Sequence, residues 1–130
     1  MTHCFKTRVY YEDTDLAGIV YYANYLKFIE RARTEWVREK GVDQSGLKDR
    51  FGIVFAVRRI EADYLAPARF NDDLVVETCL SSHSGARIAL VQNVWRDGEA
   101  LFVAKVTLVA LAEGGRAVRF PAEVRQRLES

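Results

Sequence analysis

The most informative segment of the 130-residue chain is YYEDTDLAGIVYYANYLKFIERART, residues 10–34. It passes from aromatic residues through a short acidic stretch with one glycine, and then shows apolar residues spaced three and four apart, as on one helix face. These apolar residues are Tyr22, Tyr25, Leu26, Ile29, Ala32 and Trp36. We therefore predict an amphipathic helix from about residue 20 to Gly41, packed against another layer of the protein.

Arg33 interrupts the apolar face of this helix. At the helical period it falls near the middle of the apolar stripe, where an unpaired guanidinium is costly to bury. Glu30, one turn earlier, is the nearest candidate partner. The alternative is a side chain that runs along the apolar surface to reach solvent. We expect one of these two arrangements.

Runs of β-branched and aromatic residues on both sides of the helix predict five strands. The last four are joined by short connections that include the turn signals NDD and DG, with no helix between them, so we expect successive strands to pair antiparallel. The predicted strands are residues 5–11, 53–65, 74–82, 87–96 and 100–111, with a polar stretch at 43–50 and a short helix at 122–128. This order is typical of an α+β domain in which one helix covers one sheet.

The composition indicates a soluble globular protein, with 49% hydrophobic residues and 19 basic against 18 acidic side chains. We interpret residues 1–130 as a single domain, because no linker, repeat or low-complexity stretch divides them. The net charge of +1 argues against nucleic acid as a partner, since it provides no broad basic field for a phosphate backbone. It leaves room for a local basic cluster that binds a small anionic ligand.

The sequence carries no signal for export or for insertion into a membrane. No basic start followed by an apolar core is present, and no window of about 18 apolar residues occurs. Cys4 and Cys79 are too far apart for a CxxC pair. We therefore expect a cytoplasmic protein without a transmembrane segment.

The predicted strands are apolar on both faces, which one helix cannot cover. In residues 100–111, Phe102 and Val106 alternate with Val103 and Val109, and both sets are apolar. A second layer is therefore needed, and the chain offers no second long helix. We expect a subunit contact in a homo-oligomer.

The acidic loop before the helix concentrates the reactive groups. Carboxylates just before a helix are most often caps for free backbone N–H groups, and Asp13 fits this role. Asp15 differs because the loop continues through Gly18 into a helix N-terminus. A carboxylate and unpaired amides can then converge, which suits acyl transfer to water with a stabilised oxyanion.

Residues 10–34 resemble the signature of the hotdog-fold acyl-CoA thioesterases, in particular the 4-hydroxybenzoyl-CoA thioesterase group and its Tol-Pal-associated branch. The family pattern is D, T or C, D, two residues, G, any residue, V, an aromatic or histidine pair, NY or SY, and then a helix with an ER run. Here it reads DTDLAGIVYYANY at 13–25, followed by ERAR at 30–33. The segment YLAPARFNDDLVVET at 64–78 is also similar, so the likeness covers most of the chain.

The resemblance implies a long helix wrapped by a curved antiparallel five-stranded sheet and a hydrolase of acyl-CoA thioesters that needs no cofactor. It makes Asp15 the catalytic carboxylate, either nucleophile or general base. Gly18 would allow the close turn, Val20 would lie beside the substrate, and the Tyr22 backbone N–H would polarise the thioester oxygen. Tyr22 stands where the Tol-Pal-associated branch commonly has histidine, and its phenol cannot replace imidazole as a proton shuttle at pH 7.

The resemblance also implies that Arg87 and Ser84, at a turn between two strands, bind the phosphates of coenzyme A. It implies active sites between the subunits of a homodimer that pairs further into a homotetramer. The two histidines are far apart and no metal-ligand spacing occurs, so we expect no metal site.

Two alternatives stay open. One is hydrolysis of acyl groups on acyl carrier protein, whose acidic surface needs a basic patch. The candidates for that patch are Arg116, Arg119, Arg125 and Arg127. The other alternative is a non-catalytic acyl-CoA-binding protein, which the presence of Asp15 together with Gly18 disfavours.

Overall fold

The computed structural model describes residues 2–130. This part of the chain forms one mixed α+β unit with a single antiparallel sheet. In chain order its elements are β1 (Thr2–Arg8), α1 (Asn24–Glu39), α2 (Gln44–Phe51), β2 (Val54–Tyr64), β3 (Asp73–His83), β4 (Arg87–Arg96), β5 (Glu99–Leu111), β6 (Ala117–Val118) and α3 (Ala122–Glu129). The predicted fold class is confirmed, and the two-residue β6 adds a sixth strand to the predicted five.

The strands lie in the order β1-β3-β4-β5-β2, and β6 pairs with the end of β5. The prediction that successive strands pair holds for β3 with β4 and for β4 with β5, but it is wrong for β2, which pairs with β5. The reason lies in the connection between β2 and β3. Its backbone bonds to distant segments, with the Asn71 N–H donating to the Val9 carbonyl (3.0 Å) and the Leu65 N–H to Leu101 (2.8 Å).

The hydrophobic core lies between α1 and one face of the sheet. Most of the predicted apolar stripe of α1 is buried, and Phe28 and Val37 belong to it as well, but Leu26 is 39% exposed, and Tyr22 lies before the helix and is 62% exposed. Alternate residues of β3, β4 and β5 face this stripe and complete the core. Its fully buried members include Phe28, Ile29, Trp36, Leu74, Ile88, Leu90, Phe102 and Leu108. Burial of each such side chain stabilises the fold by about 1.5–3 kcal/mol, so this face holds α1 in place.

Three predicted boundaries differ from the structure. β1 ends at Arg8, because residues 11–13 form a short 3₁₀ turn instead of continuing the strand. α1 begins at Asn24, because Ile19 and Val20 are in isolated β-bridges with Arg69 and Thr14 and are not helical. The polar stretch at 43–50 is helix α2, which buries only Leu47 and so lacks the apolar stripe that predicts a helix.

Arg33 pairs with a neutral amide instead of the predicted carboxylate. Its Nη1 donates to Oε1 of the fully buried Gln92 at 2.9 Å, while Glu30 accepts a hydrogen bond from Thr34. Gln92 in turn donates to the Ile29 carbonyl (2.9 Å). Burial lowers the pKa of Arg33, and the nearby Glu30 charge opposes that shift.

The outer face of the sheet keeps partial exposure, in contrast to the buried inner face. Val75, Val91, Val103 and Val109 are all half-buried there. Glu77, Asn93 and Lys105 lie among them, so the outer face is a mixed surface and less apolar than the sequence predicts. Whether another subunit covers it stays a prediction.

Candidate active site

Asp15 lies on a closed turn between the first strand and α1. Its N–H donates to the Ile19 carbonyl, and its own carbonyl accepts the Gly18 N–H, both at 2.9 Å. Gly18 has a φ of +79°, which an L side chain rarely adopts, so glycine allows the chain to reverse here. Oδ1 of Asp15 accepts the Ala17 N–H at 2.9 Å, which fixes the exposed carboxylate relative to the turn.

Asp13 has a structural role, but its carboxylate does not cap α1 as predicted; it binds a backbone N–H that precedes it in the loop. The residue is only 8% exposed, and its Oδ2 accepts the Tyr10 N–H at 2.8 Å. Its carbonyl accepts two further hydrogen bonds, from the Tyr21 N–H and from Nδ2 of Asn24, both at 2.9 Å. Asp13 thus ties the loop to the beginning of α1.

The residues just before α1 present backbone N–H groups without acceptors. The Asn24 N–H donates to the Tyr21 carbonyl at 2.8 Å, which closes the turn that leads into the helix. Within residues 2–130, the N–H groups of Tyr22 and Ala23 have no hydrogen-bond acceptor. Free N–H groups at a helix start attract negative charge, because they carry the positive end of the helix dipole.

A group of aromatic rings lies next to this helix start, and we call Tyr21, Tyr22, Tyr25, Tyr64 and Phe102 the aromatic cluster. The Tyr64 ring centroid is 6.2 Å from that of Tyr22 and 4.9 Å from that of Phe102. The Tyr64 hydroxyl donates to the Tyr22 carbonyl at 3.0 Å. Burial raises the pKa of Tyr64, and the neighbouring Tyr22 and Tyr25 raise it further. Its phenol is therefore neutral at pH 7.

The loop between β2 and β3 supports the site from the other side. An isolated bridge pairs Ile19 with Arg69 of that loop. The loop is held by Asp72, whose carboxylate pairs with Arg96 at 2.8 Å. Burial alone would raise the pKa of Asp72, but hydrogen bonds from Arg96 and from the Arg69 N–H outweigh it and hold this pKa below its usual value.

Arg87 and Ser84 lie at the opposite end of the sheet. Oγ of Ser84 accepts the Arg87 N–H at 3.1 Å and so shapes the turn between β3 and β4. The Arg119 guanidinium covers Gly85 of this turn so closely that an added Cβ would meet its Nη2 at 2.0 Å. Asp15 is near the Arg96 end of β4, so about 30 Å of strand separates it from Arg87.

Within one subunit, the structure therefore brings Asp15, Gly18 and Tyr22 together but leaves Arg87 and Ser84 apart from them. Val20 belongs to the hydrophobic core, with 3% exposure, so its side chain has almost no free surface. Sequence reasoning missed Tyr64, which meets the helix start only through a contact across 42 residues. It named Arg119 as part of a basic patch but did not predict its place against Gly85 at the distant turn.

Two further expectations concern metal ions and membranes. Across residues 2–130, no group of three or more His, Cys, Asp or Glu side chains is placed to hold a metal ion. In the same part of the chain, every helix is too short or too polar to cross a membrane.

Comparison with known protein families and sequences gives consistent matches. The family model described as the thioesterase-like superfamily matches residues 9–128. The acyl-CoA thioesterase YbgC of Haemophilus influenzae is 42% identical over 124 residues, which are 93% of this chain and 90% of that protein.

Comparison with solved structures gives the same picture. A probable thioesterase from Bartonella henselae superposes with a TM-score of 0.88 at 35% identity, covering 93% of this chain and 100% of that one. A mutant 4-hydroxybenzoyl CoA thioesterase, complexed with 4-hydroxybenzoyl CoA, superposes with a TM-score of 0.92 over 98% of both chains. At 23% identity, this second match shows a shared fold.

Proposed function

The chain belongs to the thioesterase-like superfamily and is a thioester hydrolase, and from that premise we propose that Asp15 and the beginning of α1 carry out its reaction. The family model and the match to YbgC confirm the resemblance to thioesterases, and the match to the 4-hydroxybenzoyl CoA thioesterase confirms the fold. The substrate is an acyl-CoA. Water cleaves its thioester bond and yields a carboxylic acid and free coenzyme A.

Asp15 activates the attack on the thioester carbonyl carbon. As general base, it takes a proton from water while the water oxygen bonds to that carbon, and it returns the proton to the departing thiolate. As nucleophile, its oxygen bonds to the carbon and expels the thiolate, and water then cleaves the resulting anhydride. Both routes need an exposed carboxylate in a fixed place, and the hydrogen bond from Ala17 to Oδ1 supports this by leaving Oδ2 open.

The Tyr22 N–H donates a hydrogen bond to the thioester oxygen and stabilises the negative charge that develops on it. The observation that carries this proposal is a backbone donor without an acceptor in residues 2–130, at the start of a 16-residue helix and next to the Asp15 turn. Such a donor is already oriented before the reaction begins. Donors of this kind contribute about 10²- to 10³-fold to the rate of acyl transfer.

The proposal assigns Arg87 and Ser84 to coenzyme A binding, and this requires a second subunit. A two-fold axis perpendicular to the strands turns the partner end for end, so that its Arg87 end comes beside Asp15. β2 offers the contact, because it is an edge strand with Val54 and Val57 each about 40% exposed. We therefore assign residues 1–130 to one catalytic domain that works as a homodimer, with the outer sheet face available for a homotetramer.

Acyl carrier protein remains the alternative carrier of the acyl group. Of the four arginines predicted to bind it, Arg119 lies beside Gly85 at the turn that carries Arg87, and Arg127 lies beside Gly41; both are exposed. The 42% identity to an acyl-CoA thioesterase favours coenzyme A over a carrier protein. Binding to acyl carrier protein that weakens steeply with salt would reverse that preference.

The proposed location is the cytoplasm. Both cysteines, Cys4 and Cys79, are free, as expected of a protein in a reducing compartment.

The function is tested with a panel of short-chain, aromatic and long-chain acyl-CoA esters and a thiol-reactive dye. We expect free thiol from at least one class, and we expect Asp15→Asn to lower kcat by about 10²- to 10⁴-fold with an unchanged melting temperature. Asp13→Asn is the matched control, because it changes the structural carboxylate of the same loop. A wild-type protein inactive on the whole panel, or greater loss of kcat in Asp13→Asn, would contradict the proposal.

A further inference from the structure

Tyr64 connects the end of an edge strand to the backbone at the start of α1. It is the last residue of β2, and its hydroxyl donates to the Tyr22 carbonyl at 3.0 Å. The phenol is half exposed, so its hydroxyl is not needed to satisfy a group deep in the core. The hydrogen bond fixes a backbone peptide beside the proposed oxyanion donor.

The geometry of the peptide group shows what this bond controls. In a trans peptide, the C=O and the N–H of one unit point in opposite directions. The Tyr22 carbonyl shares its unit with the Ala23 N–H, and the Tyr21 carbonyl shares its unit with the Tyr22 N–H. The Asn24 N–H holds the Tyr21 carbonyl at 2.8 Å, and Tyr64 holds the Tyr22 carbonyl. Both carbonyls are therefore engaged, and in each peptide unit the N–H points away from the group that holds its carbonyl.

The Tyr64 ring is itself held firmly. Its centroid lies 5.5 Å from that of Tyr25 and 4.9 Å from that of Phe102, with near-perpendicular or tilted ring planes. Tyr25 is 3% exposed and Phe102 is fully buried, so these rings belong to the rigid core. Packing thus fixes the position of the hydroxyl, and the hydroxyl fixes the peptide.

We propose that Tyr64 is a positioning residue, whose hydroxyl holds the Tyr22–Ala23 peptide so that the N–H groups at the start of α1 point at the thioester oxygen. This inference rests on the proposed function, since it names a residue that supports the same site. Tyr64 itself touches neither substrate nor reacting atoms. Its effect on the reaction passes through the backbone of Tyr22.

A positioning role and a purely structural role predict different kinetics. The full negative charge forms only in the transition state, so a misdirected N–H lowers kcat much more than it weakens substrate binding. If the Tyr64 hydrogen bond serves only stability, its loss would lower the melting temperature and leave kcat per folded molecule unchanged. The separation of kcat from KM therefore distinguishes the two roles.

The test is Tyr64→Phe, which keeps the ring and removes the hydroxyl. We expect kcat to fall about tenfold to a hundredfold, because small misplacements of catalytic groups cost rates of this size. We expect KM to stay within about twofold. Tyr11→Phe is the matched control, since Tyr11 is 82% exposed and its hydroxyl forms no hydrogen bond within residues 2–130, and it should retain wild-type kinetics.

A second measurement observes the polarised carbonyl directly. In the Asp15→Asn background, we expect the infrared stretch of the bound thioester C=O to shift to lower frequency than in solution. In Asp15→Asn with Tyr64→Phe, this shift should shrink. An equal shift in both proteins, or wild-type kcat in Tyr64→Phe, would overturn the positioning role, and so would loss of the native fold in Tyr64→Phe.

The two proposals fail in different ways. If wild-type protein hydrolyses no acyl-CoA, or if Asp15→Asn keeps full activity, the proposed function itself fails. If wild-type and Asp15→Asn behave as proposed and Tyr64→Phe has normal kcat, only the role of Tyr64 fails.

Discussion

Asp13 and Asp15 are two residues apart and carry the same chemical group, yet their surroundings give them different roles. The Asp13 carboxylate is buried and binds the Tyr10 N–H, so it is occupied by the loop that it shapes. The Asp15 carboxylate is exposed and keeps one oxygen without a partner within residues 2–130. Each carboxylate accepts one backbone hydrogen bond, so the difference between them is exposure: only an accessible carboxylate can accept a proton from water or attack a thioester.

The buried pair of Arg33 and Gln92 allows a prediction about stability. Gln92→Leu leaves the Arg33 guanidinium half-buried without its acceptor, so we expect the free energy of unfolding to fall by about 2–4 kcal/mol. Adding Arg33→Leu removes the orphaned charge. The double variant should therefore be more stable than the sum of the single losses predicts, by about 1–2 kcal/mol in urea unfolding. Additive losses would show that the two side chains do not depend on each other.

The sequence identified the residues of the candidate site better than their partners. Asp13, Asp15, Gly18 and Tyr22 follow one another in a single segment, so local patterns and the family signature could find them. The partners of Arg33 and Tyr22 are 59 and 42 residues away in the chain. Such contacts depend on the order of strands in the sheet, which no local pattern contains.

The same limit applies to the secondary-structure elements. α1 and β5 could be predicted because a long stripe or a long β-branched run marks them. Helix α2 could not be predicted, because it buries only Leu47 and so shows no apolar stripe. Gly52, with a φ of +65°, marks only where this helix ends. The pairing of β2 with β5 could not be predicted either. The strand that follows β2 in the sequence is β3, but in the sheet β4 and β5 lie between them.

Two glycines allow a test of how α3 docks on the end of α1. Gly41 and Gly98 have φ values of +81° and +80°, so an alanine at either position costs about 1–2 kcal/mol in backbone strain. At Gly98 the added methyl meets nothing within 4 Å, whereas at Gly41 it would meet Nη1 of Arg127 at 2.7 Å. Nη1 is the far end of a flexible and exposed side chain, so it can move aside, and we expect Gly41→Ala and Gly98→Ala to lose similar unfolding free energy in matched urea titrations. A clearly greater loss in Gly41→Ala would show that the Arg127 contact holds α3 on the end of α1.

At the scale of the whole molecule, the distance between Asp15 and Arg87 has a direct consequence. About 30 Å of strand separates the two ends of the sheet, so within one subunit the thioester at Asp15 and the phosphates at Arg87 would have to lie that far apart. In the proposed homodimer, Asp15 of one protomer works with Arg87 of its partner. Each site then depends on both subunits.

Mixed dimers test this sharing of sites. Asp15→Asn alone should be inactive, and Arg87→Gln alone should have a raised KM and little activity at low acyl-CoA concentration. If the sites are shared, a dimer of one Asp15→Asn and one Arg87→Gln subunit has one intact site and one site with both defects.

Random mixing makes half of the dimers hybrid, so co-refolded subunits should recover about a quarter of wild-type activity at low substrate concentration. Sizes measured by light scattering confirm that dimers have formed, and the separately refolded variants, mixed only in the assay, provide the baseline. Activity no higher than that baseline in verified hybrid dimers would place Asp15 and Arg87 in the same subunit's site. The outcome thus decides whether the reaction needs the dimer or merely occurs within it.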